Sequence, residues 1–152
     1  MNDESYLSFM PQALILAGKA AEAGEVPVGA IVVRNGEIIG QGHNRTRIDN
    51  DPSAHAEIVA IRQACAAVGK DRLDDCDLWV TLEPCTMCAG VIAHARIRRL
   101  YYAAADPKGG AVESGVRFFS NATCHHQLEI YSGFEEDEAA AMLRQFFSDR
   151  RG

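Results

Sequence analysis

No stretch of this 152-residue chain approaches the ~20 consecutive apolar residues that span a bilayer as a helix. Internal repeats, low-complexity segments and linker-like runs are absent too, so neither a solenoid nor a string of tethered modules is expected. The opening residues, Met1-Asn2-Asp3-Glu4-Ser5, are acidic and do not read as a secretory signal, which makes the cytoplasm the expected location. Positive charge is scarce. Fifteen Lys and Arg against 21 Asp and Glu give a formal net charge of -6. That balance argues against a large electrostatic footprint on nucleic acid, though not against a local basic patch. The five cysteines are an odd number in a chain without an export signal, so metal ligation or buried thiols are favoured over a disulfide framework.

The remainder is ordinary for a soluble globular protein, with 47% hydrophobic and 24% charged residues. The length predicts one domain, 1–152, burying roughly 70% of its unfolded surface. A helix is expected over 8–23, with Ser8 as cap, Pro11 in the first turn and Gly24 as stop. Val28–Val33 and Glu37–Gly42 read as a hairpin around Asn35-Gly36. The polar stretch 43–52 reads as a loop, followed by a helix from Ser53 to about Val68. A short strand at Leu78–Thr81, a helix from Pro84 to about His94 and a strand at Leu100–Ala104 follow. Residues 111–127 carry no clear period; a strand at Gln127–Ser132 and a helix over 135–150 close the chain. Strands alternating with helices after an opening hairpin suggest an α/β fold, a mixed sheet with helices on its faces.

Two short motifs carry chemistry. His55-Ala56-Glu57 opens one predicted helix, and Pro84-Cys85-Thr86-Met87-Cys88 opens another. Cys85 and Cys88, three apart, face one side of their helix, and a helix N-terminus favours the thiolate form. One imidazole and two thiolates suit zinc. Three protein ligands leave a position open for water, and Glu57 is placed beside them as a proton carrier rather than a fourth ligand. A purely structural site would need one more donor, for which Cys65, Cys76, His43, His94 and Cys124 are available. Cys124-His125-His126 reads as a loop with incidental donors, and Glu83 as an aid to the helix that follows it. That helix, with Met87, Ala89, Gly90, Val91, Ile92 and Ala93, is apolar on nearly every side. One face can meet the sheet; the other predicts a homodimer.

The H-x-E and P-C-x-x-C pair is the signature of zinc-dependent nucleobase deaminases. With Glu25–Ala30, Gly42–Arg45, Thr81–Gly90, Asp106–Ala111 and Phe146-Phe147, the chain resembles the bacterial tRNA-specific adenosine deaminases, within the zinc-dependent cytidine deaminase superfamily. The resemblance implies a three-layer α/β/α sandwich around a mixed five-stranded sheet. It implies one zinc ion per subunit, held by His55, Cys85 and Cys88, with Glu57 as the catalytic proton shuttle. It implies hydrolysis of adenosine to inosine at the wobble position of a tRNA anticodon, by a zinc-activated water. The flipped base would meet Asn44, and neighbouring nucleotides would meet Asp106, Lys108 and Phe147 or Phe146, with Arg150 and Arg151 along the same loop. A small-molecule guanine or cytosine deaminase of the same fold is the alternative, and a non-catalytic zinc protein that binds RNA is a third.

Overall fold

The computed structural model describes residues 7–151, Arg151 by its backbone alone. The acidic opening stretch and the Arg151 side chain lie outside the described residues. Helix α1 (Met10–Glu22) begins with Ser8 Oγ accepting the Met10 N–H at 3.2 Å and with Pro11 in the first turn. Strands β1 (Gly29–Arg34) and β2 (Glu37–His43) form the expected hairpin. Asn35 and Gly36 both have positive φ, 51° and 79°, which the tight turn between right-twisted strands requires. Helix α2 (Ala56–Val68), strand β3 (Cys76–Leu82), helix α3 (Thr86–Ala95), strand β4 (Arg99–Ala104), strand β5 (Glu129–Ser132) and helix α4 (Glu136–Arg151) complete the order.

The sheet runs β2-β1-β3-β4-β5. Strand β1 is antiparallel to β2 and β3, whereas β3, β4 and β5 run parallel, so the sheet is mixed and five-stranded. Both faces are covered, and the two-residue period of each strand divides its side chains between them. Ala30, Val32, Leu78 and Val80 pack under α2 and α3 with Ala60, Ile61 and Ile92. Ile31, Val33 and Trp79 pack on the opposite face under α1 with Met10, Ala13 and Leu14. The result is a three-layer α/β/α sandwich.

The tightest contacts between helix and strand in this sandwich leave no space for a side chain. A Cβ on Gly29 would stand 2.0 Å from the Ala13 carbonyl oxygen, and one on Gly40 would stand 2.3 Å from that of Ala60. Glycine there lets α1 lie flush on β1 and α2 on β2.

The start of α2 departs from the sequence expectation. Ser53 does not cap it; its N–H and Oγ both bond Asp51 Oδ1, at 2.9 and 2.7 Å. A local side-chain turn has captured the hydroxyl, and the helix begins three residues later with His55 at the N-cap. The segment 111–127 is irregular apart from a short 3-10 turn at Phe118–Ser120.

Candidate metal centre and pocket

His55 and Cys85 occupy equivalent places. Each is the N-cap residue of its helix, in extended backbone, with no side-chain cap hydrogen bond. Cys88 lies in the first turn of α3, fully buried. The helix starts meet outside the C-terminal ends of β3 and β4, where open α/β sheets form their crevices. His55 Nδ1 lies 3.6 Å from Cys85 Sγ and 3.4 Å from Cys88 Sγ. All three donor atoms fall within 4.8 Å of one another, and among the described residues no fourth His, Cys, Asp or Glu joins them. For a tetrahedral ion with ordinary zinc–nitrogen and zinc–sulfur bonds, a nitrogen–sulfur separation of about 3.6 Å is expected, so the residues fit a metal of this type.

The charges around the trio are strongly interdependent. The Cys85 thiol falls to about 4, driven first by the hydrogen bond from Cys88 and then by His55, against the opposing effect of burial. Cys88 moves up, through its pairing with Cys85 and its burial. His55 also moves up because it bonds to Cys85. Glu57, in the first turn of α2 and 4% exposed, is raised to about 7 by burial.

His55, Cys85 and Glu57 border a cavity of about 270 Å³, with Val26, Val28, Asn44 and Asp106 among its other walls, while Cys88 lies buried behind it. A second cavity of about 440 Å³ adjoins it, sharing Val26, Leu82 and Asp106 and adding Lys108, Leu143 and Phe147. Asn44 lines the first cavity, Lys108 and Phe147 the second, and Asp106 both. Asn44 has a structural task as well, because its Oδ1 accepts the Ala56 N–H at 2.9 Å, fixing the residue that follows His55. The Asp106 carboxylate accepts the N–H groups of Lys108 and Gly109, at 3.3 and 3.0 Å. Phe147 is 44% exposed while Phe146 is buried. Arg150 stands over the Phe146 ring at 4.4 Å and donates to the Gly24 carbonyl at 2.9 Å. It ties α4 to the end of α1.

The other donors in the sequence are elsewhere. Cys76 is buried, its thiol pushed up to about 12 by burial and by Asp75. Cys124 donates to the His126 carbonyl, and His126 meets the Ile97 carbonyl, so that cluster builds a loop. His94 is exposed in the last turn of α3.

Two buried carboxylates escaped the sequence reading as functional elements. Glu25 accepts from Thr46 Oγ1 and from the N–H groups of Arg47 and Ile48, holding the loop that carries Asn44. Glu83, expected to assist α3, instead binds the loop after β4. Its only sequence signal is a lone acid between Leu82 and Pro84. Glu25, between Gly24 and Val26, is equally isolated.

A family model described as MafB19-like deaminase matches residues 2–151. A tRNA-specific adenosine deaminase of Agrobacterium fabrum is 61% identical over 143 residues, 94% of each chain. One of Bacillus subtilis is 43% identical over 143 residues, 94% of this chain and 89% of its own. A solved structure from work on A-to-I editing by tRNA:A34 deaminases at the wobble position of transfer RNA superposes with a TM-score of 0.88 at 61% identity, over 89% of this chain and 98% of that one. A guanine deaminase of Nitrosomonas europaea shares the fold at 25% identity, with a TM-score of 0.80 over 91% of this chain and 82% of that one.

Proposed function

We propose, from the premise that this chain belongs to the tRNA-specific adenosine deaminases, that it hydrolyses adenosine to inosine at the wobble position of a tRNA anticodon. It acts as one deaminase domain, in the cytoplasm where its RNA substrate is found. The observation that carries the reading is the buried Glu57 beside the His55–Cys85–Cys88 trio, at a pocket that shares a wall with a second groove.

His55 Nδ1 and the sulfurs of Cys85 and Cys88 would hold zinc, by the softness of the donors. When bound, zinc supplies Lewis-acid activation of a water molecule. Glu57 would accept a proton from the attacking water as a C–O bond forms at the adenine carbon bearing the amine, and deliver it to the ring nitrogen. It would then take the remaining proton of the added hydroxyl and pass it to the exocyclic nitrogen, so that the C–N bond breaks, ammonia leaves and inosine remains. Burial of Glu57 keeps bulk water from these transfers. The Asn44 side chain stands at the pocket wall to receive the flipped base, which a single-stranded loop yields most readily. Asp106, Lys108 and Phe147, in the adjoining groove, serve the neighbouring nucleotides. A free base would leave that groove empty, which favours a polynucleotide over guanine or cytosine.

A homodimer through α3 suits the same structure. Met87 is 39% exposed on the outer side of that helix. Gly90, mid-helix, has no heavy atom within 4 Å of where a Cβ would sit. Glycine in a helix interior costs roughly 0.5–1 kcal/mol relative to alanine. Among the described residues none packs against that position, and with Met87 exposed beside it on the same apolar helix a closely apposed second copy is the occupant we propose.

The test is direct. Unmodified tRNA or its anticodon stem-loop is incubated with the protein, digested to nucleosides and analysed for inosine. Inosine from tRNA, without turnover of free guanine, cytosine or adenosine, is the expected result. Turnover of a free base alone would overturn it.

A further inference from the structure

Glu83 is 2% exposed and stands two residues before Cys85. Its Oε2 receives three consecutive backbone donors, the N–H groups of Val112, Glu113 and Ser114, at 3.0, 2.9 and 2.9 Å. Its Oε1 receives the Asp106 N–H at 3.0 Å and Ser114 Oγ at 2.9 Å. The backbone around it is tied to the same loop: the Glu83 N–H donates to the Ala104 carbonyl, and the Ala111 N–H to the Pro84 carbonyl, both at 2.9 Å. Gly110 leaves room for this carboxylate, since a Cβ there would lie 2.5 Å from Glu83 Cδ. One buried anion thus gathers both ends of a loop that has no regular hydrogen-bond ladder of its own.

That loop is a wall of the site. Asp106 borders both the inner cavity and the adjoining groove, and Lys108 borders the groove. We propose that Glu83 is a positioning residue for the polynucleotide substrate: it locks the Asp106–Ser114 loop to the turn carrying Cys85 and so fixes the wall on which the nucleotides flanking the target base rest. This deepens the deaminase reading of the pocket and rests on it.

Glu83→Ala would strip every acceptor from five donors and so confound a loop effect with a folding defect; Glu83→Gln is the informative variant. A carboxamide keeps one acceptor oxygen, and the three N–H groups on the Oε2 side are best served by it. The amide nitrogen is then left facing the Asp106 N–H, donor against donor, while the Ser114 hydroxyl can turn to accept. The lesion therefore falls on Asp106 and leaves His55, Glu57, Cys85 and Cys88 in place.

With the zinc-loaded Glu83→Gln protein and an anticodon stem-loop, KM should rise about tenfold while kcat stays within about twofold, the size expected for losing one charge-assisted hydrogen bond that only orients the substrate wall. A merely structural role would lower the active fraction, so apparent kcat would fall at unchanged KM, and that result overturns the proposal. Amide exchange followed by NMR gives a readout without substrate. The Asp106 amide should exchange about tenfold faster in the variant, while the Val112 amide and those of α3 keep their protection. Unchanged exchange at Asp106 also overturns the clamp. A wild-type protein that makes no inosine would instead refute the deaminase reading, with the exchange data still deciding whether Glu83 holds the loop.

Discussion

Gly29→Ala places a methyl group where the fold has no volume for it. The new Cβ would stand 2.0 Å from the Ala13 carbonyl oxygen, 2.7 Å from the Ala17 nitrogen and 2.8 Å from Leu16 Cβ. Real Cβ atoms essentially never come within 3.0 Å of such neighbours, so α1 and β1 must separate by about 1 Å. The two closest obstacles are helix backbone and cannot rotate aside. A gap of that size forfeits a quarter to a half of the dispersion attraction across it, along an α1 face where Met10, Ala13, Leu14, Leu16, Ala17 and Ala20 are all buried. Overpacking costs about 1–3 kcal/mol, and this geometry belongs at the upper end. For a domain of this size, about 3 kcal/mol corresponds to a fall in Tm of roughly 6–12 °C. The assay is thermal unfolding by calorimetry at fixed zinc and protein concentration, because ligand and oligomer both shift Tm by mass action. Gly18→Ala is the internal control. It lies in α1 with nothing within 4 Å of its Cβ position, and should gain about 0.5–1 kcal/mol. A Gly29→Ala protein melting within about 2 °C of wild type would show that α1 retreats without cost, and would refute the packing argument.

Three further outcomes follow from the site and from α3. Glu57→Gln should keep one zinc per chain by elemental analysis and lose about 10²–10⁴-fold in kcat, the usual scale for general acid–base catalysis; brisk turnover would remove Glu57 from the mechanism. Cys88→Ala should lose the metal and melt lower, and unchanged zinc content would contradict its role as a ligand. Gly90→Ala should weaken self-association in sedimentation experiments while the isolated subunit gains roughly 0.5–1 kcal/mol in helix stability; an unaltered dimer would move the interface away from α3.

The hairpin was legible because Asn35-Gly36 demands one turn geometry regardless of tertiary context. The grouping of His55, Cys85 and Cys88 was legible because all three sit at helix starts, and Pro84 and Gly69 punctuate those helices in the sequence. What escaped was mostly non-local. Ser53 is the exception, since Asp51, two residues before it, captures it in a local turn that competes with capping, whereas Ala56 is served by Asn44, 12 residues away. The start of the 111–127 segment has no period because the N–H groups of Val112, Glu113 and Ser114 all turn to a carboxylate about 30 residues earlier in the chain, at Glu83. Arg150 could not be placed from sequence because its acceptor, Gly24, lies 126 residues away.

His55 and Cys85 hold the positions where serine, threonine or aspartate ordinarily secures a helix start, and neither side chain performs that service. An ion drawn to them would secure both starts at once. A cell starved of that ion would then hold a looser protein as well as an idle one, open to proteolysis where α2 and α3 begin. Abundance would track metal supply without any dedicated regulator, and half-lives measured in replete and depleted cells would reveal the dependence.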